Sequence, residues 1–373
     1  MGRLNVLCLF GGQSTEYEVS CRSFESVVRN IDGEKFNIVK IGISKAGEWN
    51  IYGGPSAKIR DLSWADDSGN LYPCAIIPKS KANDKARLCK FTDGGSFEKI
   101  DIDVILPIIH GANGEDGTIQ GLAQMYGVAC AGADINGSVC SYDKNAAKIL
   151  CAQIDGLKQP EYLALRRYEF CAGRDRENIL KLAGEKIKFP MFVKPAKAGS
   201  SVGIYKVARP DELERAVLDA FEFDDMVLVE SNMNGKEIEV AVLGNGDDLT
   251  VSCPGEIKPN ADFYDYDTKY INDTAELCIP ADLSAETSEK IRGFAKQIYM
   301  RVGAGGFARV DFFVDVDIDA AGGRGDEIYF NEINTIPGFT EISMFAKLLI
   351  YSEDMSYKEL MTRIIELAVT RNK

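Results

Sequence analysis

Hydrophobic and polar positions run along this chain in blocks whose period switches, and the switches mark its elements. Leu4 to Phe10 is a continuous apolar run closed by Gly11-Gly12, which reads as a short buried strand entering a turn. The spacing then predicts a helix from about Thr15 to Asn30, with Thr15-x-x-Glu18 at capping-box spacing. Ile38–Ile43 and Val104–Ile109 read as further strands. They are followed by a helix from about Glu115 to Tyr126, a short strand at Val128–Ala131 and a helix from Asp143 to Ile154. Strand and helix in alternation imply a doubly wound parallel sheet. Residues 45–100, rich in Gly, Lys and Asp, read as strands joined by surface turns.

A second segment, 133–229, has the look of a small α+β unit. It holds Phe189-Pro-Met-Phe-Val-Lys194-Pro, a Gly-Ser run at 199–203, a short strand, a helix over Pro210–Phe221 and a strand at Val227–Val229. From 230 onward come strands at Ile238–Leu243 and Val251–Ile257, an Asp/Tyr-rich stretch at 262–275 and a helix over Ser284–Arg301. Strong strands follow at 307–314 and 327–333, and a last helix opens at the capping box Ser356-x-x-Glu359. The chain thus divides into 1–132, 133–229 and 230–373, a mixture of α/β and α+β architecture with no internal repeat.

Composition narrows the function. With 373 residues, 45% hydrophobic and 27% charged, this is an ordinary globular chain of two or three domains. Its 43 basic and 57 acidic residues leave a net charge of -14, which argues against nucleic acid or an anionic membrane as the main partner. No apolar run approaches the roughly 20 residues of a membrane span, and Met1–Phe10 leads into the Gly-Gly turn without a cleavable apolar region. Ten cysteines, scattered singly and mostly in apolar stretches, suit a reducing cytosol. One histidine, His110, and no Cys-x-x-Cys leave no basis for a zinc site, so any metal should bind oxygen. Acidity does not exclude a nucleotide, because a few lysines and a metal can hold one phosphate chain.

The most informative chemistry lies on Phe307-Ala-Arg309-Val-Asp311 and Glu327-Ile-Tyr-Phe-Asn-Glu332-Ile-Asn334. With a strand period of two, Arg309 and Asp311 share one face, and Glu332 and Asn334 share one face of a neighbour. One cation and three oxygen donors can therefore converge, either as internal salt bridges on a sheet or as a Mg²⁺ site. Lys194-Pro-Ala-Lys-Ala-Gly199-Ser200-Ser201-Val-Gly203 puts a lysine at a strand end before a small-residue loop, which is either a hairpin tip or a phosphate cradle. It is not a Walker A loop, since the lysine precedes the glycines. Gly303-Ala-Gly305-Gly-Phe-Ala308 imitates a dinucleotide fingerprint but lies between helix and strand, the reverse of the required order. His110-Gly-Ala-Asn-Gly114-Glu115 and Glu16 both sit at carboxyl ends of strands, where an open α/β sheet keeps its ligands. For each a bland role also exists: a satisfied core histidine, and an acid serving a helix N-terminus. Lys269-Tyr270 ends a polar, aromatic loop that is either solvated or a lid.

Together, Gly11-Gly12-x-Ser-x-Glu16-x-Glu18-Val-Ser, His110-Gly-x-x-Gly-Glu115-Asp-Gly, Asp143-Lys144, the Lys194 to Gly203 loop, Tyr266-x-x-Lys269-Tyr270, Arg309-x-Asp311 and Glu332-x-Asn334-Thr-x-Pro-Gly338 cover nearly the whole chain. In this order they resemble the D-alanine:D-alanine ligase family of the ATP-grasp superfamily. The resemblance implies a three-domain, cytoplasmic homodimeric enzyme of peptidoglycan precursor synthesis. It would phosphorylate one D-alanine with ATP and let the amine of a second attack the acylphosphate.

The resemblance also implies roles. Lys144, Lys194 and Ser201 would meet the ATP phosphates, and Glu230, Ser231, Met233 and Glu237 the adenine and ribose. Asp311, Glu332 and Asn334 would hold two Mg²⁺ ions, with Mn²⁺ a possible substitute. Arg309 and the Gly338 N–H would face the tetrahedral oxygens. Glu16 would hold the first ammonium with His110 nearby, while Ser200 and Tyr270 would complete with Glu16 a hydrogen-bonded set that closes the lid. Lys269 and Ser343 would grip the second carboxylate. At the position of Met344, relatives that accept D-serine carry arginine, so an apolar side chain favours D-alanine. Relatives that make the D-lactate ester lack the Lys-Tyr pair. D-serine as second substrate, and a non-catalytic nucleotide-binding protein, stand as alternatives. Ser231 replaces a common lysine, and Glu341 has no derivable role.

Overall fold

Three β-sheets organise the chain in the computed structural model, which describes residues 2–81, 84–92, 95–172, 176–258, 276–315, 326–340 and 342–371. The first begins with β1 (Leu4–Gly11), whose residues Val6 to Phe10 have no exposed surface. That is the condition of an inner strand covered on both faces, and it explains the unbroken apolar run. Val6, Cys8 and Phe10 enter one core while Leu7 and Leu9 enter another, as a period of two requires. The other strands are β2 (Phe36–Ile43), β3 (Trp49–Tyr52), β4 (Leu71–Ile77), β5 (Arg87–Phe91), β6 (Phe97–Asp101), β7 (Val104–Pro107) and β8 (Ala129–Cys130), in the order β6-β5-β4-β3-β2-β1-β7-β8.

Only β2, β1, β7 and β8 pair in parallel, and β3 to β6 extend the sheet as antiparallel strands. The parallel reading therefore holds at the centre and is corrected at the edge. Links such as 44–48 and 92–96 are far shorter than the dozen or so residues of a parallel crossover.

The second sheet contains β9 (Tyr162–Arg166), β10 (Met191–Pro195), β11 (Tyr205–Val207) and β12 (Met226–Ser231), ordered β11-β10-β12-β9 and antiparallel throughout. Ala183 of helix Arg176–Lys186 and Leu213, Ala216 and Val217 of helix Pro210–Ala220 share its core.

The third sheet contains β13 (Lys236–Asn245), β14 (Asp248–Val251), β15 (Gly255–Lys258), β16 (Glu276–Cys278), β17 (Gly306–Asp315) and β18 (Glu327–Asn334), ordered β16-β15-β13-β17-β18 with β14 beside β13. The single strand expected over Val251–Ile257 is two strands. Pro254 has no N–H for a ladder, and the Ser252 hydroxyl takes the Ala241 N–H at 2.9 Å.

The two faces of this sheet serve different partners. Val240, Val242, Ala308, Val310 and Phe312 pack with helix Ala285–Arg301 and with Ala147 and Cys151 of helix Lys144–Cys151. Ala241, Leu243 and Phe307 face helices Met344–Glu353 and Tyr357–Arg371 and join the core that holds Val6, Cys8 and Phe10. The first and third sheets thus share one core, which fixes the loops at their ends against each other. Helix Met344–Glu353 has no place in the sequence reading because its apolar residues show no polar face to set a period.

Two helix starts also differ from expectation. The Thr15–Glu18 box does not form: the helix is Tyr17–Asn30, with Glu16 at its N-cap and no side-chain cap bond. The helix expected from Glu115 begins at Thr118, after Gly117 turns the chain at φ +89°. The box at Ser356 does form, with the Ser356 N–H on Glu359 Oε2 at 2.7 Å and the Glu359 N–H on Ser356 Oγ at 3.2 Å.

Candidate active site

Strand register brings the predicted polar face together. Arg309 lies opposite Asn334 and Asp311 opposite Glu332, with the irregularity in pairing falling just after Asp311. Directly opposed residues share a face. Arg309 binds Asp311 with both ends of its fork, Nε to Oδ1 at 2.7 Å and Nη2 to Oδ2 at 2.6 Å, the bidentate geometry that makes such pairs strong. Asn334 Nδ2 donates to Asp311 Oδ2 at 3.1 Å. Lys144 Nζ stands 3.3 Å from Glu332 Oε2 and donates to the Ala198 carbonyl at 2.7 Å. Burial opposes the guanidinium charge, but Asp311 first and Glu239 next outweigh it and hold its pKa above the ordinary arginine value.

On the opposite wall, the Ser200 hydroxyl donates to Glu16 Oε1, joining residues 184 positions apart. Ser200 and Ser201 both adopt left-handed backbone, at φ 52° and 60°, so the loop is turned sharply to make this contact. A Cβ on Gly199 would stand 2.3 Å from Glu16 Oε2, so only glycine admits the carboxylate there.

His110 is buried, with Nδ1 2.8 Å from the Ile336 carbonyl and Nε2 3.1 Å from Ser23 Oγ. A carbonyl can only accept, so Nδ1 carries the proton. Burial lowers the pKa of the ring, and the neutral Nε2 takes the Ser23 hydroxyl. Ser23 Oγ in turn accepts the Phe339 N–H at 3.3 Å. Glu115, read as a helix-terminal acid, instead bridges two loops: its oxygens accept N–H groups from Gly111 at 3.1 Å, Thr335 at 3.1 Å and Ile336 at 3.0 Å. Burial and then Glu16 push its carboxyl up to about 7. His110 and Glu115 together set the backbone that leads into Gly338.

Two lobes of one cleft meet at Arg309, Glu332 and Gly338. The first is lined by Glu16, His110, Tyr142, Lys144, Ser200 and Asn334, among others. The second is lined by Glu237, Glu239, Asp311, Thr340, Ser343 and Met344. The hydroxyls of Thr340 and Ser343 are 2.8 Å apart. Met344 is buried against Gly255, whose added Cβ would lie 2.8 Å from the Met344 sulfur.

Lys194 and Glu230 stand outside the lining of both lobes. Glu230 Oε2 binds Lys194 Nζ, and Oε1 binds Lys148 Nζ at 2.7 Å. Lys148, one helical turn after Lys144, is fully buried and escaped the sequence reading. Its i,i+4 spacing from Lys144 was the available signal. Glu239, likewise missed, is period-two spaced from Glu237. Ser231 donates its N–H to the Glu161 carbonyl at 2.9 Å, and Met233 is half-buried. Lys269, Tyr270 and Glu341 lie outside the described residues.

The donors Asp311, Glu332 and Asn334 are all oxygen-bearing and share a face, which is the chemistry Mg²⁺ takes. Their rotamers are turned to protein partners, however. Among the described residues, no three His, Cys, Asp or Glu side chains surround a point that could hold a metal.

Two family models match most of the chain. One for the D-ala D-ala ligase N-terminus matches residues 5–133, and one for the C-terminus matches 151–366. A D-alanine–D-alanine ligase of Caldicellulosiruptor bescii is 42% identical across 100% of this chain and 97% of its own. One from Clostridium acetobutylicum is 42% identical across 98% of each. Among solved structures, the VanG D-Ala:D-Ser ligase of Enterococcus faecalis superposes with a TM-score of 0.82 at 35% identity, over 98% of this chain and 100% of its own. The D-alanine–D-alanine ligase of Coxiella burnetii gives 0.80 at 29%, over 100% of this chain and 95% of its own.

Proposed function

The chain belongs to the D-alanine–D-alanine ligase family, and from that premise we propose how its cleft joins two D-alanines at the expense of ATP. A carboxylate oxygen of the first D-alanine attacks the γ-phosphorus, forming an O–P bond as ADP leaves. The amine of the second, having given up a proton, attacks the acyl carbon. The tetrahedral adduct then expels phosphate, which carries off the second proton of the attacking nitrogen, and leaves an amide, D-alanyl-D-alanine, for cell-wall precursor synthesis.

The observation that carries this reading is the meeting of the two lobes at Arg309, Glu332 and Gly338. A donor amino acid seated by Glu16, His110 and Ser200 would present its carboxyl to that junction. An acceptor held at Ser343, its carboxylate also gripped by Lys269 if the family role holds, would approach from the other side. Arg309 and the Gly338 N–H would then face the developing oxyanion, the kind of fixed donor pair that stabilises acyl-transfer transition states. Lys144, Lys194, Ser201, Glu230, Ser231, Met233 and Glu237 would seat the nucleotide, and Tyr270 would join Ser200 and Glu16 in the hydrogen-bonded set that closes the lid. Asp311, Glu332 and Asn334 would hold Mg²⁺, which when bound supplies charge neutralisation for the phosphates.

For the acceptor, Met344 lines the second lobe with an apolar side chain, which suits the methyl group of D-alanine. D-serine is the second reading, favoured by the likeness to VanG. Ten cysteines without a disulfide fit a reducing, cytosolic compartment, and among the described residues no helix is long and apolar enough to cross a membrane; a homodimer is the assembly the family resemblance implies.

The test is phosphate release with Mg²⁺ and ATP over D-alanine, D-serine, D-lactate and L-alanine, singly and in pairs, with each product weighed by mass spectrometry. The expected product is D-alanyl-D-alanine, with none from L-alanine. A larger mixed D-alanyl-D-serine yield would reassign the acceptor, and no turnover with any pair would overturn the ligase.

A further inference from the structure

Three carboxylates form one transverse row across the third sheet. Register puts Glu239 of β13 opposite Asp311 of β17, and Asp311 opposite Glu332 of β18, so all three project from one face. Glu239 and Asp311 are each only 8% exposed. Arg309 lies among them with two carboxylates in reach of one atom: Nε is 2.7 Å from Asp311 Oδ1 and 3.1 Å from Glu239 Oε2. Nε carries one hydrogen and can serve only one acceptor fully. In this structure Asp311 has it, together with Nη2.

That arrangement conflicts with the metal role proposed for Asp311. A divalent cation would need the oxygens that now hold the guanidinium, and Arg309 would be left buried, unpaired and beside a like charge, which is costly. We propose that Glu239 is a positioning residue that receives Arg309 when a divalent cation takes Asp311, so that the guanidinium turns on Nε and stays in the cleft. The inference rests on the metal reading above. It gives Glu239 a role exerted through Arg309, and it explains why a third acid lies in the row.

A mutant cycle tests it, read as Mn²⁺ affinity by electron paramagnetic resonance of free Mn²⁺ on the whole protein saturated with a non-hydrolysable ATP analogue. Glu239→Gln leaves Arg309 only Asp311 to bind, so the cation must compete harder, and affinity should fall about tenfold, the scale of coupling between contacting charged residues. Arg309→Ala removes the competitor, and affinity should rise. The double variant should match Arg309→Ala, because Glu239 then has nothing to receive. If Glu239 acts only through its own charge, the two effects add and the double variant falls between the singles, which overturns the proposal. An unchanged affinity in Glu239→Gln overturns it as well. If Glu239→Gln does not fold, Glu239→Asp, which keeps the charge but draws back by one methylene, must weaken Mn²⁺ in the same direction. Failure of the wild-type protein to bind Mn²⁺ with the analogue would strike the metal reading itself, a separate outcome.

Discussion

The buried trio Lys148–Glu230–Lys194 makes a prediction about charge that holds whatever the cleft does. Lys148 Nζ stands 2.7 Å from Glu230 Oε1, and the second oxygen holds Lys194. At an effective dielectric near 20, a pair at that distance gains about 6 kcal/mol before the cost of taking the ions out of water. That cost is several kcal/mol per ion, so the net value of either contact is far smaller. The effect of a substitution therefore turns on what charge it strands. Lys148→Met leaves Glu230 with Lys194, a complete pair, and should cost about 1–3 kcal/mol. Glu230→Gln strands two ammonium groups side by side and should cost about 3–5 kcal/mol.

The double variant Lys148→Met/Glu230→Gln keeps one lysine and should be more stable than Glu230→Gln alone, which is a coupling that additive contacts cannot produce. The pH dependence has a defined sign. Burial first, and the neighbouring Lys194 ammonium as well, lowers the Lys148 pKa, although Glu230 partly restores it. The folded state therefore sheds that proton more readily than the unfolded chain, and its stability share rises with pH toward the ordinary lysine range. Without Glu230 the rise should be steeper. Urea unfolding of the four proteins at pH 7 and pH 9 measures both effects. Glu230→Gln no worse than Lys148→Met, or a double variant equal to the sum of the singles, would refute the reasoning.

Arg309→Ala should retain nucleotide binding yet lose turnover by about two to three orders of magnitude, as for loss of an oxyanion donor; unchanged turnover in the coupled phosphate assay would remove Arg309 from the mechanism. The Glu115 carboxyl, raised from 4.5 to about 7, is held protonated more tightly in the folded state. Stability should therefore fall by about 3 kcal/mol as pH rises across that window and level off above it. Denaturant titrations of Glu115→Gln at pH 5 and pH 8 should show a shallower fall, and equal slopes would refute the assignment. Gly199→Ala would set a methyl 2.3 Å from Glu16 Oε2, displace the Ser200 contact, and raise the KM for the first amino acid more than the KM for ATP; the reverse order would contradict the placement of Glu16.

What could be read from the sequence divides by range. The shared face of Arg309 and Asp311, and that of Glu332 and Asn334, follows from period two within single strands, and the register bears out both. Which residue of one strand opposes which of the other does not follow, because it depends on the intervening connection and on the irregularity after Asp311. The contact between Glu16 and Ser200 joins an exit loop of the first sheet to a loop of the second, and no local pattern records it. Only the family resemblance, which groups Ser200 and Glu16 in one hydrogen-bonded set, anticipates it. Glu115 shows the opposite failure. Its spacing before an apolar helix looked like helix-terminal charge, but the positive φ of Gly111 and Gly117 keeps 111–117 as a turn and sends the carboxylate to Thr335 and Ile336.

One pattern runs through the cleft and the buried trio beside it: each cation assigned to phosphate or to a tetrahedral oxygen already holds a carboxylate. Lys144 stands against Glu332, Lys194 against Glu230 and Arg309 against Asp311. A chain with a net charge of -14 can bury three cations in this way without stranding any. On the proposed reading, substrate binding at such a site is an exchange of anions: the phosphates would displace acids from the lysines, and those acids would need other cations. For Asp311 and Glu332 those would be divalent ions, whereas Glu230 would keep Lys148, which it already holds. Protein–protein pairs are traded for protein–ligand and protein–metal pairs of similar number, so the site is assembled before substrate arrives and little charge is left unpaired at any stage. On that reading acids and bases crowd the same face for a reason, and the nucleotide and its metal should be mutually dependent: either one alone would leave an opened pair unanswered.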